Sequence, residues 1–77
     1  MLLEAAIPLK TGESYPVEEL TAGLIRAGYV RCQQVEGPGQ FALRGGILDV
    51  FSPAMEQPVR CEFWDDELDA MGVFDVT

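Results

Sequence analysis

The spacing of apolar residues near the middle of the chain predicts an α-helix. Apolar residues recur there at i, i+3, i+7 and i+10, namely Val17, Leu20, Leu24 and Ala27. This spacing places them on one stripe of a helix. Pro16 suits the first helical position, where its missing N–H costs nothing, and Gly28 is placed to end the helix in the left-handed conformation. We therefore predict a helix over residues 16–27.

Outside this helix the pattern favours strands, because residues 2–9 are low in polar residues and the apolar period beyond Gly28 changes to two. The predicted strands cover residues 2–9, 29–35, 40–44, 47–51, 58–64 and 67–74. Turn-forming residues lie between them at 10–13, 36–39, 45–46 and 65–66. The prediction is an α+β fold in which one helix packs on an antiparallel β-sheet built of hairpins. Residues 1–77 have room for one such domain.

The lengths of the turns predict which side chains share a face of the sheet. Pairing across residues 36–39 places Arg31 opposite Arg44, and the two-residue loop 45–46 places Ala42 opposite Asp49. One face would then carry Arg31, Gln33, Val35, Gln40, Ala42, Arg44, Ile47, Asp49 and Phe51. The opposite face is nearly all apolar, with Val30, Cys32, Phe41, Leu43, Leu48 and Val50. We expect the helix to cover this apolar face.

The mixed face has two interpretations. It could be a solvated surface on which Ile47 and Phe51 are ordinary exposed apolar residues. It could instead be a docking patch, because arginine beside an aromatic ring is typical of binding hot spots. The register by itself leaves both interpretations open.

The charge balance favours a protein partner. Five Lys and Arg stand against thirteen Asp and Glu, the net charge is −8, and histidine is absent. Nucleic-acid binding draws most of its affinity from cations that neutralise phosphates, and anionic membranes attract cations in the same way. A chain of this charge is therefore disfavoured as a DNA-binding or membrane-binding module.

The two cysteines, Cys32 and Cys61, are expected to be reduced and buried. The chain start lacks a signal-peptide pattern, and no apolar run approaches the length of a membrane span. These features predict a cytoplasmic location, where thiols stay reduced, although one disulfide is the alternative.

Several motifs point to chemistry only weakly. The acidic residues of 62–69 lack the spaced ligands and central glycine of a calcium loop, so we expect no metal. Asp49 has no apparent catalytic partner, and a structural role or a salt bridge with Arg44 is favoured. Phe63 and Trp64 are interpreted as core and sheet packing. The chain also lacks a phosphate-binding Gly-x-x-x-x-Gly-Lys-Ser/Thr loop, so we predict neither catalysis nor a bound cofactor.

Blocks of sequence spread over nearly the whole chain resemble a known family. They are Gly28-Tyr29-Val30-Arg31, Val35-Glu36-Gly37-Pro38-Gly39-Gln40-Phe41, Arg44-Gly45-Gly46-Ile47-Leu48-Asp49-Val50-Phe51 and Pro58-Val59-Arg60, followed by Glu62-Phe63-Trp64-Asp65-Asp66-Glu67-Leu68-Asp69 and Phe74-Asp75. In this order and spacing they resemble the UvrB-like module of transcription-repair coupling factors (Mfd).

This resemblance implies an adaptor that recruits UvrA during nucleotide excision repair. It also implies that contacts with RNA polymerase and DNA, and the use of ATP and magnesium, belong to other domains of the full-length protein. Arg31 and Arg44 occupy positions that match arginines of UvrB, while Ala42 replaces a third one. The expected partner-binding residues are Arg31, Gln40, Ala42, Arg44, Ile47, Asp49 and Phe51.

Three other hypotheses remain at this point. The chain could be the corresponding domain of UvrB. It could be a β-domain that binds single-stranded nucleic acid through Arg31 and Arg44, although the net charge of −8 argues against this. It could also be a small acidic enzyme fragment, for which the sequence offers no catalytic constellation.

Overall fold

The computed structural model describes residues 2–4 and 7–75, and for residues 2–4, 7 and 8 it describes the backbone alone. The described chain contains β1 (Leu2–Glu4), β2 (Ile7–Pro8), α1 (Val17–Arg26), β3 (Val30–Arg31), β4 (Gln40–Arg44), β5 (Ile47–Phe51), β6 (Val59–Trp64) and β7 (Glu67–Val73). Strands β3 to β7 form one sheet in sequence order, and β1 pairs with β2. The predicted α+β class is confirmed.

Helix α1 forms where it is predicted but is one residue shorter at each end, because Pro16 is the N-cap and not the first helical residue, and Ala27 is the C-cap. At the other end Gly28 has a φ of 97°. The Gly28 amide donates to the Ile25 carbonyl and the Tyr29 amide to the Leu24 carbonyl, both at 3.0 Å. This pair of hydrogen bonds is the Schellman motif, which satisfies carbonyls that the helix itself leaves unpaired. Leu24 and Tyr29 are both buried, so the end of the helix is anchored in the core.

The core lies between α1 and one face of the five-stranded sheet, called here the inner face. Its buried members are Leu9, Leu24, Tyr29, Phe41, Leu48, Val50, Val59, Cys61, Phe63 and Leu68. Three residues predicted to be covered are not. Val30 is 60% exposed, Cys32 is half-buried, and Ala27 is exposed at the C-cap of α1, beyond the last full turn. The outer face is the opposite one, and it carries Gln40, Ala42, Arg44, Ile47, Asp49, Phe51, Arg60, Glu62 and Trp64.

The β4–β5 hairpin has the predicted register. Arg44 pairs with Ile47, Ala42 with Asp49, and Gln40 with Phe51. In the two-residue loop Gly45 has a φ of 58°. Gly46 is required for a different reason, because a Cβ at this position would lie 2.5 Å from the carbonyl oxygen of Phe63. The Phe63 amide also donates to the Gly46 carbonyl at 2.7 Å, so this loop is fastened to β6.

The predicted antiparallel pairing of residues 29–35 with β4 is wrong. Strand β3 contains two residues and runs parallel to β4, with Val30 beside Gln40 and Arg31 beside Phe41. Arg31 therefore does not lie opposite Arg44. A parallel neighbour requires the connecting chain to return to the end at which β3 began. Residues 32–39 make this return as a loop.

The side chain of Gln40 holds the loop in place. Its Oε1 accepts hydrogen bonds from the amides of Glu36 at 2.8 Å and Gly37 at 3.1 Å. Gly39 has a φ of 81°, and its amide donates to the Phe51 carbonyl at 2.7 Å. These contacts satisfy the loop backbone without a second antiparallel strand, which explains why the turn signals at 36–39 do not make a hairpin.

The amino-terminal segment also differs from the prediction of one strand over residues 2–9. Here β1 and β2 are short antiparallel partners, and residues 5 and 6 between them lie outside the described residues. Residues 12–15 then run along the start of β7. The Gly12 amide donates to the Leu68 carbonyl at 2.8 Å, and the Leu68 amide donates to the Glu13 carbonyl at 2.9 Å.

The last hairpin, β6–β7, is confirmed. It turns at residues 65–66, where Asp65 has a φ of 55°. A β-bulge interrupts its ladder between the pairs formed by Glu62 and Phe63. Within residues 2–4 and 7–75, no helix combines the length and the apolar content that crossing a bilayer demands.

Candidate partner-binding site

One part of the outer face is covered by the protein itself. Val35, from the 32–39 loop, packs against Ala42 and Phe51 in a small apolar cluster separate from the core. Ala42 is 1% exposed and Phe51 is 7% exposed. The expected accessibility of Phe51 is therefore wrong, because the loop that was predicted to pair beside β4 lies over this part of the sheet instead.

An ion pair between a buried carboxylate and a half-buried guanidinium occupies the next part of the outer face. Asp49 is 4% exposed, and the guanidinium of Arg60 donates to both of its oxygens, from Nε to Oδ1 at 2.8 Å and from Nη2 to Oδ2 at 3.0 Å. These hydrogen bonds raise the pKa of Arg60 above its ordinary value. The ring of Phe74 stacks on the same guanidinium, with 4.5 Å between the ring centroid and Cζ. Asp49 therefore has a structural role here.

Arg44 is a weaker partner of this carboxylate than the sequence suggested. Its Nη2 lies 4.0 Å from Oδ2 of Asp49, and 59% of its side chain is exposed. The guanidinium of Arg60 makes the direct hydrogen bonds to Asp49, because the two residues are register partners on adjacent strands. The adjacency of β5 and β6 in the sheet decides this pairing, and the turn lengths that predict the register of β4 and β5 do not extend to β6.

Arg31 and Arg44 nevertheless border the same surface depression, although Arg31 is the register partner of the inner-face Phe41 and Arg44 lies on the outer face. Both line an open depression at the β3–β4 edge of the sheet, which has a volume of about 460 Å³. The other lining residues are Cys32, Gln33, Gln34 and Leu43. None of these described lining residues carries a carboxylate. The depression thus offers two guanidinium groups and two amide side chains to an anionic group.

The seven predicted partner-binding residues consequently fall into two sets. Arg31 and Arg44 are exposed and Ile47 is half-buried, so these three can touch a partner. The other four are occupied within the domain: Gln40 by the loop amides, Ala42 and Phe51 by Val35, and Asp49 by Arg60. Arg60 and Phe74 were missed, although the alternation of Arg60 with buried Val59 and Cys61 is a signal that it lies on the outer face.

The two cysteines are free thiols in different surroundings. Cys61 is fully buried, and burial raises the pKa of its thiol to about 12. Cys32 is only half-buried and lines the two-arginine depression, so the prediction of burial is confirmed for Cys61 and wrong for Cys32.

Trp64 and the acidic turn beside it also differ from expectation. Phe63 is buried, but Trp64 is 78% exposed, so packing explains Phe63 alone. Glu62 and the acidic residues that follow Trp64 are exposed as well. Among the residues that the structure describes, no three His, Cys, Asp or Glu side chains are grouped as a metal site would require.

Comparison with known proteins identifies the family. The sequence pattern of the UvrB interaction domain matches residues 7–77. The chain is 44% identical over 70 residues to a transcription-repair-coupling factor of Mycobacterium tuberculosis (strain CDC 1551 / Oshkosh), covering 91% of this chain and 6% of that protein. It is 41% identical over 71 residues to the transcription-repair-coupling factor of Escherichia coli (strain K12), which covers 92% of this chain and 6% of that protein. It is 36% identical over 66 residues to that of Bacillus subtilis (strain 168), which covers 86% of this chain and 6% of that protein. The chain thus spans about 6% of the length of these relatives. It belongs to the UvrB interaction domain family, in the form that transcription-repair coupling factors carry.

Proposed function

We propose that this domain recruits UvrA in transcription-coupled nucleotide excision repair, and that Arg31 and Arg44 form the centre of the contact. The family establishes an interaction domain of a coupling factor. The proposal adds the partner and the residues that meet it.

One observation carries the proposal. Two exposed arginines line a single depression whose lining residues include no carboxylate, in a chain whose net charge is −8. A third arginine of this region, Arg60, is bound to Asp49 and is not available in the same way. Guanidinium groups bind carboxylates through charge-assisted, often bidentate hydrogen bonds. The depression therefore suits an acidic surface on a protein partner.

The remaining predicted residues contribute in two ways under this proposal. Ile47 is the register partner of Arg44 and adds a half-buried apolar contact beside it. Ala42, Asp49 and Phe51 are buried, and the half-buried Gln40 is bonded to the loop amides, so these four hold the 32–39 loop and the strand that carry the arginines. A partner would gain from them through rigidity of the site and not through direct contact.

This function requires no nucleotide or metal in the domain itself. ATP-driven movement, with its magnesium, and contacts with RNA polymerase and DNA would belong to the other segments of a full-length coupling factor. The chain corresponds to about 6% of such a protein, so these activities have ample sequence outside it.

The test is a binding titration of purified UvrA against the 77-residue chain and its variants. Replacement of Arg31 or Arg44 by alanine should weaken binding on the order of 1 to 4 kcal/mol, the range of hot-spot truncations. Replacement by glutamate should weaken it further, because like charges then face each other. Far-UV circular dichroism should show an unchanged fold, since both side chains are exposed.

Arg26→Glu is the matched control. Arg26 is exposed in the last turn of α1, so its reversal changes the net charge by the same amount at a different surface. It should leave the affinity for UvrA nearly unchanged. The proposal is wrong if the folded Arg31→Glu, Arg44→Glu double variant binds UvrA as tightly as the parent.

A further inference from the structure

Trp64 is an exposed aromatic side chain that the fold itself does not use. It is the single tryptophan of the chain, it ends β6, and it is 78% exposed, whereas the preceding Phe63 is 8% exposed. Large aromatic rings contribute most to stability when they are buried, and tryptophan is enriched among the residues that dominate protein interfaces. The ring is therefore available for contact with another molecule.

The neighbours of this ring are acidic. Glu62 lies two residues earlier on the same strand and so on the same outer face, and Glu67 is the direct register partner of Trp64. Asp65 and Asp66 form the adjoining turn. All four carboxylates are exposed, and within the described residues the salt bridges involve Asp49 and none of these four.

This acidic surface is continuous with the proposed arginine site. Arg44 pairs with Ile47 and Ile47 pairs with Glu62, so the three lie in one row across β4, β5 and β6. Adjacent strands are about 4.8 Å apart, which puts the backbones of Arg44 and Glu62 about 10 Å from each other. A typical interface covers about 800 Å² on each partner, so one partner can span both. Along the row the face is positive, then apolar, then negative.

We infer that Trp64, with Glu62 and Glu67, forms a second contact point that takes an arginine or lysine side chain of the same partner protein. This inference rests on the proposed function. A cation is attracted to the face of an indole ring, and the flanking carboxylates accept its hydrogen bonds. Nucleic acid and anionic lipid are excluded as occupants, because four carboxylates repel them.

Two contact points of opposite charge determine how the partner is oriented. Rotating the partner so that its acidic group faced Glu62 would place like charges together at both ends of the row. The Trp64 surface therefore contributes specificity of orientation in addition to affinity.

The single tryptophan allows a direct test. The chain is prepared with 5-fluorotryptophan, which yields one ¹⁹F resonance, and UvrA is added. The resonance should change its chemical shift at the same UvrA concentration at which binding is measured independently. Broadening alone would report only the slower tumbling of the complex. Trp64→Ala and Glu62→Lys should each weaken binding about 5- to 30-fold, which corresponds to the loss of a desolvated cation–π contact and its flanking charge.

Two matched controls separate this contact from general effects. Ile25→Ala removes an apolar side chain that is 57% exposed on α1. Glu56→Lys makes the same change of charge as Glu62→Lys, at an exposed position between β5 and β6. Both should bind UvrA like the parent.

The outcomes distinguish the two proposals. If UvrA binding depends on Arg31 and Arg44 while the Trp64 resonance broadens without shifting and Trp64→Ala binds UvrA like the parent, the inference is overturned and the proposed function stands. If the folded parent chain does not bind UvrA at all, both are overturned. The ¹⁹F measurement needs no substitution beyond the fluorine label, so a variant that fails to fold does not remove the test.

Discussion

The two faces of the five-stranded sheet differ in composition and in what covers them. The inner face is uniformly apolar, and α1 covers it to form the core. The outer face is divided into an apolar cluster under Val35, an ion pair between the buried Asp49 and the half-buried Arg60, and the row of Arg44, Ile47 and Glu62 with the exposed Trp64 beside it. The inner face supplies most of the stability, and the outer face carries the exposed side chains to which the proposed contacts are assigned.

This difference shows that a shared face does not mean a shared environment. Ala42 and Arg44 both lie on the outer face, as the alternation along β4 predicts. Ala42 is nevertheless 1% exposed, whereas the side chain of Arg44 is 59% exposed. Side-chain alternation determines the direction in which a residue points. What lies over that residue depends on another segment of the chain.

The sharpest contrast should come from a core residue of the inner face. Phe41 is fully buried, so Phe41→Ala should lower the free energy of unfolding by about 3 to 5 kcal/mol. A domain of this size has little more than that to lose, so the variant should be largely unfolded in mild urea. Ile47→Ala, on the outer face, should lose about 1 kcal/mol. Urea titration followed by circular dichroism measures both, and equal losses would contradict the division between the two faces.

Substitutions in the Asp49–Arg60 ion pair test whether the outer face also contributes to the free energy of unfolding. Arg60→Met would leave the carboxylate of Asp49, which is 4% exposed, without its two guanidinium hydrogen bonds. The expected loss is about 1 to 3 kcal/mol. Asp49→Asn should be milder, because the Arg60 side chain is 40% exposed and water can solvate it. The same urea titration compares them, and a larger loss for Asp49→Asn would show that the carboxylate is less enclosed than described.

The two loop glycines should respond differently to side chains. Gly46→Ala forces a Cβ toward the Phe63 carbonyl oxygen, which would lie 2.5 Å away. This should destabilise the protein by about 1 to 3 kcal/mol through displacement of the loop from β6. Gly45→Asn should change stability by no more than about 0.5 kcal/mol, because asparagine tolerates the positive φ and nothing lies within 4 Å of its Cβ. Thermal unfolding of the pair tests the asymmetry, and a tolerated Gly46→Ala would mean that β6 can move away.

The last effect concerns Cys61, and it is absent at neutral pH and appears only in alkali. The folded thiol has its pKa raised from 9.0 to about 12, so the unfolded chain loses this proton at a lower pH than the folded chain. The contribution to stability is therefore complete below pH 9 and is lost as the pH rises towards 12. Unfolding measured across this range should show a downward slope that is reduced in Cys61→Ala and retained in Cys32→Ser.

A native thiol titration provides the complementary measurement. At neutral pH a thiol reagent should label Cys32, which lines the open depression, and leave Cys61 unlabelled. Labelling of both residues at equal rates would show that the core opens readily beneath the sheet.

The elements that could be predicted are those whose signals are local. Helix α1 has its stripe and its terminating glycine within twelve residues, and the β4–β5 and β6–β7 hairpins have turn residues directly between their strands. In each case the residues that interact are neighbours along the chain, so a short pattern specifies the geometry.

The segment after Arg31 is the part of the chain for which the prediction was wrong. Its apolar alternation and its Pro-Gly turn both favour a hairpin with β4. The folded chain instead satisfies the backbone with the Gln40 side chain and buries Val35 over Phe51. Both choices satisfy local preferences, and only the packing of the whole outer face distinguishes them.

For the candidate site, the sequence by itself determined which residues bear the charge. The spacing of Arg44 from the glycine loop and the parity of β4 and β5 place Arg44 and Ile47 side by side, and the acidic balance makes exposed arginines unusual. Tertiary structure alone decided that Arg31 reaches the same depression from a parallel strand, that Arg60 and not Arg44 neutralises Asp49, and that Trp64 remains exposed. The physical reason is range: side-chain direction follows from the backbone of one strand, whereas burial and ion pairing depend on segments that meet only after the sheet has assembled.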